Sequence, residues 1–340
     1  MATLITVGGS SSTGNGYTFG DLIEKVYRRV MGGVRERVVT LTNSIDSSTN
    51  TVLLSGSQIS SLFPGVLLAI DLEILYVESW APDSGSSTSG TAIVTRGYFG
   101  SVAGAHIAGT HCYLNPRYSR YDIGVAINDD LRSLSSPTNG LFRVGVAEIT
   151  YNPVFAGYDL GDLPDNFIDI LEVRYRIAPP YRTFPAIKRW KVIRWDKSST
   201  DPVFPSGRGL VIYESAWPGL PIYVTYSAPF IRFVDTADNI LNTPATNDDS
   251  PPHNGYSTNT VVNLTATMID LPPLGAEIDL TQPREISRNF MESQPDPRKA
   301  QEVPANAVAA SVNALVSRRM QRINEEADRL QRQYTKVRAW

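Results

Sequence analysis

The spacing of apolar residues divides the chain into stretches of different period. From Thr18 the step is four: Leu22, Val26 and Val30 form one apolar stripe, which predicts an amphipathic helix. The Thr18 hydroxyl can cap its free amides, and Asp21 sits three residues on, at the positive end of the helix dipole. Gly32-Gly33 ends the helix, because glycine enters the left-handed region cheaply. From Val38 the period falls to two. Val38–Thr42, Thr51–Leu54, Val66–Ile70, Glu73–Ser79 and Thr91–Arg96 are short, β-branched and separated by Ser, Asn, Gly and Pro clusters. This predicts a small antiparallel β unit. Residues 81–90 read as a polar hairpin tip and 96–111 as a Gly-rich connection. Tyr121–Leu134 returns to helical spacing, with Ile123, Ile127, Leu131 and Leu134 on one face.

Ser135–Gly140 breaks the pattern and is the first domain boundary. Five longer strands follow, at Phe142–Tyr151, Phe167–Ile177, Ile187–Trp195, Gly209–Glu214 and Ile222–Ala228. With no helix between them they predict an antiparallel sheet or sandwich. Trp190 and Trp195 are five apart on one strand and so face opposite sides, one toward the core and one toward the surface. Residues 235–259, with Asp248-Asp249-Ser250-Pro251-Pro252, read as an exposed loop, and Thr260–Leu271 as a short helix. The Pro-rich, polar stretch 272–304 reads as an extended strap.

After Pro304 no Gly or Pro occurs up to Gln333, and Ala, Arg, Glu, Gln and Leu dominate. A helix here is roughly 40 Å long at 1.5 Å per residue. Val312, Val316, Met320, Ile323, Ala327, Leu330 and Tyr334 step by four and three and make a narrow, coiled-coil-like seam. Arg318, Arg319, Arg322, Arg329, Arg332, Lys336 and Arg338 outnumber Glu325, Glu326 and Asp328. A helix packed on its own core has a wider apolar face, so the seam favours docking on a partner. The expected architecture is α+β. Residues 1–17 form a flexible arm, 18–135 a helix with a small β domain, and 136–228 a central β domain. Residues 229–304 are loops and strap, and 305–340 the C-terminal docking helix.

Composition narrows the classes. A net charge of −3 gives no whole-chain field toward nucleic acid or acidic membrane, so any charged partner is met locally. Cys112 is the one cysteine, which excludes an internal disulfide. No secretory leader is expected, since Met1–Gly16 lacks a basic segment before an apolar run. No apolar run reaches membrane-spanning length.

Catalytic signals are scarce. His106, His111 and His253 sit in no metal-ligand spacing, so no metal is expected. GGSSSTGNG at 8–16 has glycines but no lysine, and no phosphate loop, GxGxxG turn or GxSxG elbow occurs. No cofactor and no catalytic residue is assigned. Asp129-Asp130 and Glu325-Glu326 are expected on exposed helix faces as solvated charge. Arg96-Gly97-Tyr98-Phe99-Gly100 has two readings: a ligand or partner loop, or, preferred, a strand-exit turn whose aromatics fill the core while its glycines take positive φ.

Three segments together resemble the head-to-tail connector, or neck adaptor, proteins of tailed bacteriophages, especially the large forms of actinobacteriophages. They are TFGDLIEKVYRRV; the pair IDLEILYVES and TAIVTRGYFGSVAGAHIAGTHCYLNPRYSRYDIGVAIND; and the EVP-led tail with RRMQRINEEADRLQRQY. They span about half the chain, and the central sheet carries little of the likeness. Ser101 stands where the family pattern has Thr. The resemblance implies a structural virion protein, not an enzyme, made in the host cytoplasm and placed at the virion neck. It implies a homo-oligomeric ring, commonly of twelve copies, under the portal protein, with a further neck or tail protein on its other face. Genome DNA would pass through the axial channel without sequence-specific contacts, and no membrane is involved. The residues implied to meet the portal are Val312, Val316, Arg318, Arg319, Met320, Arg322, Ile323, Arg329, Leu330, Arg332, Tyr334 and Trp340. The competing readings are a minor tail or baseplate component, a carboxylate-based hydrolase, and a DNA-binding protein using the basic helix.

Overall fold

The computed structural model describes residues 18–154, 157–161, 163–164, 166–177, 184–194, 204–214, 218–234, 264–265, 267–292 and 307–334. The chain is α+β and divides into two compact units. Among the described residues, one unit takes everything up to Ser133 together with Ile231–Arg322; the other takes Leu134–Phe230 and the chain from Ile323.

The first unit opens with helix α1 (Phe19–Met31). The Thr18 hydroxyl accepts from the Asp21 amide at 3.1 Å, and Asp21 accepts from the Thr18 amide at 2.9 Å, a reciprocal capping box. Leu22, Ile23 and Val26 are buried, and Gly32 ends the helix at φ 53°. Six strands follow: β1 (Arg37–Leu41), β2 (Thr51–Ser55), β3 (Leu67–Ile70), β4 (Glu73–Pro82), β5 (Ser89–Thr95) and β6 (His111–Leu114). They pair antiparallel in the order β1-β2-β5-β4-β3-β6, and β6 pairs with both β3 and β1, closing a barrel. Closure leaves no free sheet edge. The inward positions alternate along each strand: Val39 and Leu41, Val52 and Leu54, Leu68 and Ile70, Leu75 and Val77, Ala92 and Val94, Cys112 and Leu114. Burial of Cys112 pushes its thiol far above the ordinary range, so it is a core residue. β6 is only four residues long and directly follows the Gly-rich connection, too short for a period to show along the chain.

Helix α2 (Arg120–Leu134) buries Ile123, Ile127, Leu131 and Leu134, the four residues expected on one face. Helix α3 (Leu271–Glu292) replaces the extended strap over its whole length. Composition misled here. Pro272 and Pro273 lie in the first turn, where a missing N–H costs nothing, and Leu274, Ala276 and Ile278 behind them are buried. The helix packs on α1 and adds an Arg29–Glu277 ion pair at 3.6 Å. The short helix expected at 260–271 does not form among its described residues, none of which is helical up to Asp270. The arm 1–17, the acidic loop 248–252, His253, Trp195 and the remainder of the strap lie outside the described residues.

The second unit holds β7 (Arg143–Thr150), β8 (Tyr158–Asp159), β9 (Asp169–Tyr175), β10 (Trp190–Arg194), β11 (Arg208–Ile212) and β12 (Pro221–Ala228). They form two antiparallel three-stranded sheets, β7-β12-β9 and β10-β11-β8. Both contribute to one core: Ile149, Val173 and Val224 from the first sheet meet Tyr158 and Leu210 from the second, with Trp190 packed against them. Helix α4 (Ala307–Gln333) has residues in both units. Among the described residues no helix is long and apolar enough to cross a membrane.

Candidate functional site

One end of the barrel is closed by charge. Arg96 directly follows β5 and uses all five guanidinium N–H groups. Two go to the Glu73 carboxylate, at 2.6 and 2.7 Å, and three to the backbone carbonyls of Asp46, Thr49 and Gly104. His106 sits between two carboxylates, with Nδ1 2.8 Å from Asp71 and Nε2 2.8 Å from Glu73. The Gly97 and Gly104 amides also donate to Glu73. All four side chains are buried. Two anions and two cations leave the cluster neutral, the condition under which buried charge is tolerable. Burial pushes Glu73 up, but the hydrogen bonds from Arg96, His106 and the Gly104 amide overcome it and hold its pKa at about 2. Burial pushes His106 down, but Asp71 and Glu73 raise it more, and the imidazolium is the favoured form.

The cluster therefore ties the β1–β2 loop, the start of β4 and the β5–β6 connection together. Both imidazole nitrogens are engaged, so neither is free to pass a proton to a bound molecule. No grouping of metal-ligand type occurs among the described residues. His106 is thus not an ordinary loop histidine. Asp71 and Glu73 lie more than 30 residues away from it in sequence, and only the barrel brings them together.

The Gly97–Gly100 turn departs from its expected role in one respect. Its glycines do take positive φ, 63° and 80°. A Cβ on Gly97 would also stand 2.9 Å from the Ser101 carbonyl. Its aromatics, however, leave the core. Tyr98 stacks on Tyr76 outside the barrel, and Phe99, itself at φ 54°, is 66% exposed. The turn is held because Ser101 Oγ accepts from the Ile74 amide and donates to the Tyr98 carbonyl.

Helix α4 carries the residues assigned to docking, and the structure splits them. Val312 is half-buried, while Val316 and Met320 are 40% and 46% exposed. Further along the helix Ile323 and Leu330 are 1% and 3% exposed. The seam is therefore not uniformly exposed: Ile323 and Leu330 in its C-terminal half are buried by the chain itself. Two of the arginines are held within the chain. Arg319 pairs with Asp130 of α2 and bonds Ser133, and Arg322 pairs with Asp270 at 3.2 Å and bonds the Thr267 carbonyl. Arg329 pairs with Glu326 one turn back at 2.8 Å. Arg318 and Arg332 are exposed, Tyr334 is half-buried, and Trp340 lies outside the described residues.

Asp130 and Glu326 are buried, contrary to the solvated faces expected for the acidic pairs; Asp129 and Glu325 are exposed. Asp130 faces Gly275 of α3 so closely that a Cβ there would fall 1.8 Å from its carboxylate. Burial pushes Asp130 up to about 7, and Asp279 adds repulsion, although Arg319 opposes both.

No family model matches the chain, and no curated protein matches its sequence significantly.

Proposed function

We propose that the chain is a structural adaptor of the tailed-phage neck, and that the N-terminal half of α4 is its portal-binding element. The observation that carries this reading is the division of one apolar seam. Ile323 and Leu330 anchor the helix, while Val316 and Met320 present the same stripe to solvent beside exposed Arg318. An amphipathic helix docks in a groove through residues at this three-to-four spacing, and a flanking cation steers it toward an acidic surface. The resemblance in the RGYFG and EVP segments supplies the portal as that groove. The closed barrel and two-sheet unit suit a rigid ring subunit, because symmetry multiplies modest contacts. In this reading the ring encircles passing genome DNA and receives a neck or tail protein on its other face.

The test is a Val316→Asp, Met320→Asp double variant mixed with purified cognate portal protein and sized by mass photometry. Both sites are exposed, so the melting temperature is expected to stay within about 2 °C of wild type, in line with effects of about ±0.5 kcal/mol at such positions. Portal binding is expected to fall at least tenfold. Binding retained within twofold would remove α4 as the docking element.

A further inference from the structure

The barrel has no edge, but the two sheets of the second unit end on β7, β9, β10 and β8. Three of these four edges are short or covered. β8 has two residues, and β10 has five, of which Lys191 and Arg194 are charged. The outer side of β9 is taken by a later segment of chain: the Ile187 amide donates to the Val173 carbonyl at 2.8 Å, and the Tyr175 amide to the Pro185 carbonyl at 3.1 Å.

The fourth edge, β7, is long and open. All eight of its residues pair with β12 in unbroken register. The ladder runs on to Tyr151, whose amide donates to the Leu220 carbonyl and whose carbonyl accepts from the Gly219 amide. Alternation then points the backbone of Arg143, Gly145, Ala147 and Ile149 toward β12, and that of Val144, Val146, Glu148 and Thr150 away from it. Among the described residues nothing bonds these four on their outer side. The usual guards of an edge are missing as well. β7 has no lysine, no proline and no bulge against β12, and Glu148 is its one charge beyond Arg143. Val144 and Val146 are half-buried on one face of the strand, and Ala147 and Ile149 are in the core on the other. An edge of this kind is a template for a further uncharged strand.

The sequence contains one. Thr3-Leu4-Ile5-Thr6-Val7 is a charge-free run of strand formers, tied to α1 by the Gly- and Ser-rich residues 8–16. The eleven steps from Val7 to Thr18 can span about 37 Å when extended. The connection back to β7 is of similar length: Phe19 stacks on Phe233, with ring centroids 4.3 Å apart, and Phe233 lies five residues past Ala228, the β12 residue opposite Arg143. A flexible tether of this length holds a segment near its target at an effective concentration of about a millimolar.

We propose that residues 3–7 add to the open edge of β7 of the same chain as a fourth strand of that sheet. The test is residue-resolved hydrogen exchange by NMR on the full chain, compared with a Leu4→Pro, Ile5→Pro variant. The Val146 and Glu148 amides report the outer edge, and the Gly145, Ala147 and Ile149 amides, which point to β12, are the internal control. Val146 and Glu148 are expected to exchange about 100-fold more slowly in the wild type than in the variant, with the control amides alike in both. Equal exchange of Val146 and Glu148 in the two proteins overturns the proposal. Val146→Pro removes an outward amide and no bond to β12, so it should speed exchange at residues 4–7; unchanged exchange there overturns the proposal too. Protection that rises with chain concentration from about 20 to 500 μM overturns the assignment to the same chain in favour of a second copy's arm. No residue is shared with α4, so this proposal and the portal reading stand or fall separately.

Discussion

Replacing Arg96 with Met keeps the length of the side chain and removes its charge. Five hydrogen bonds vanish, and Glu73, fully buried, is left facing His106 with the cluster one negative charge out of balance. Removing one partner of a buried ion pair destabilises by about 3–5 kcal/mol. At about 2–4 °C per kcal/mol for a domain of this size, the melting temperature should drop by roughly 6–20 °C. The loss should be local as well as global. Hydrogen exchange should quicken around Asp46, Thr49 and Gly104, whose carbonyls Arg96 holds. A second readout is acid unfolding. Glu73 has a folded pKa near 2, below its ordinary 4.5, so its contribution is complete above pH 4.5 and is lost as pH falls through 2. That limb amounts to about 3 kcal/mol in the wild type and should shrink in the variant, where Arg96 no longer holds the carboxyl down. Adding Glu73→Gln to Arg96→Met should recover part of the loss by removing the unpaired anion. A variant melting within 2 °C of wild type, with the same acid limb, would refute the view that this cluster closes the barrel.

Three further outcomes follow from other contacts. Gly275→Ala drives a methyl into the Asp130 carboxylate and should lower stability by about 1–3 kcal/mol, read by denaturant titration. Ile323→Ala and Leu330→Ala should each cost about 2–5 kcal/mol in the same assay, because both side chains are buried; Val316→Ala should cost little. Asp130 runs opposite to Glu73: its folded pKa of about 7 lies above the ordinary 3.8, so the native state holds the proton more tightly, and stability falls as pH rises from about 4 to 7. Asp130→Asn should flatten that limb in pH-dependent melts.

Local chemistry made much of this molecule legible in its sequence. The Thr18–Asp21 cap, the α1 stripe, the α2 face, five of the six barrel strands and five of the six strands of the second unit follow from spacing, capping and turn residues. Those signals act between neighbours in the chain and need no partner to be readable. Three things needed the folded chain. The first is β6, whose four residues become a strand only because β1 and β3 both offer a ladder to it. The second is α3, where burial against α1 outweighed a Pro-rich composition. The third is the use of charge. Asp71, Glu73, Arg96 and His106 form one neutral cluster, and Arg319 and Arg322 are bound within the chain, because three-dimensional proximity decides which charges neutralise one another. The same holds for the seam of α4: its periodicity was plain from Val312 to Leu330, but period alone reports which residues share a face, not how much of that face the rest of the chain already covers.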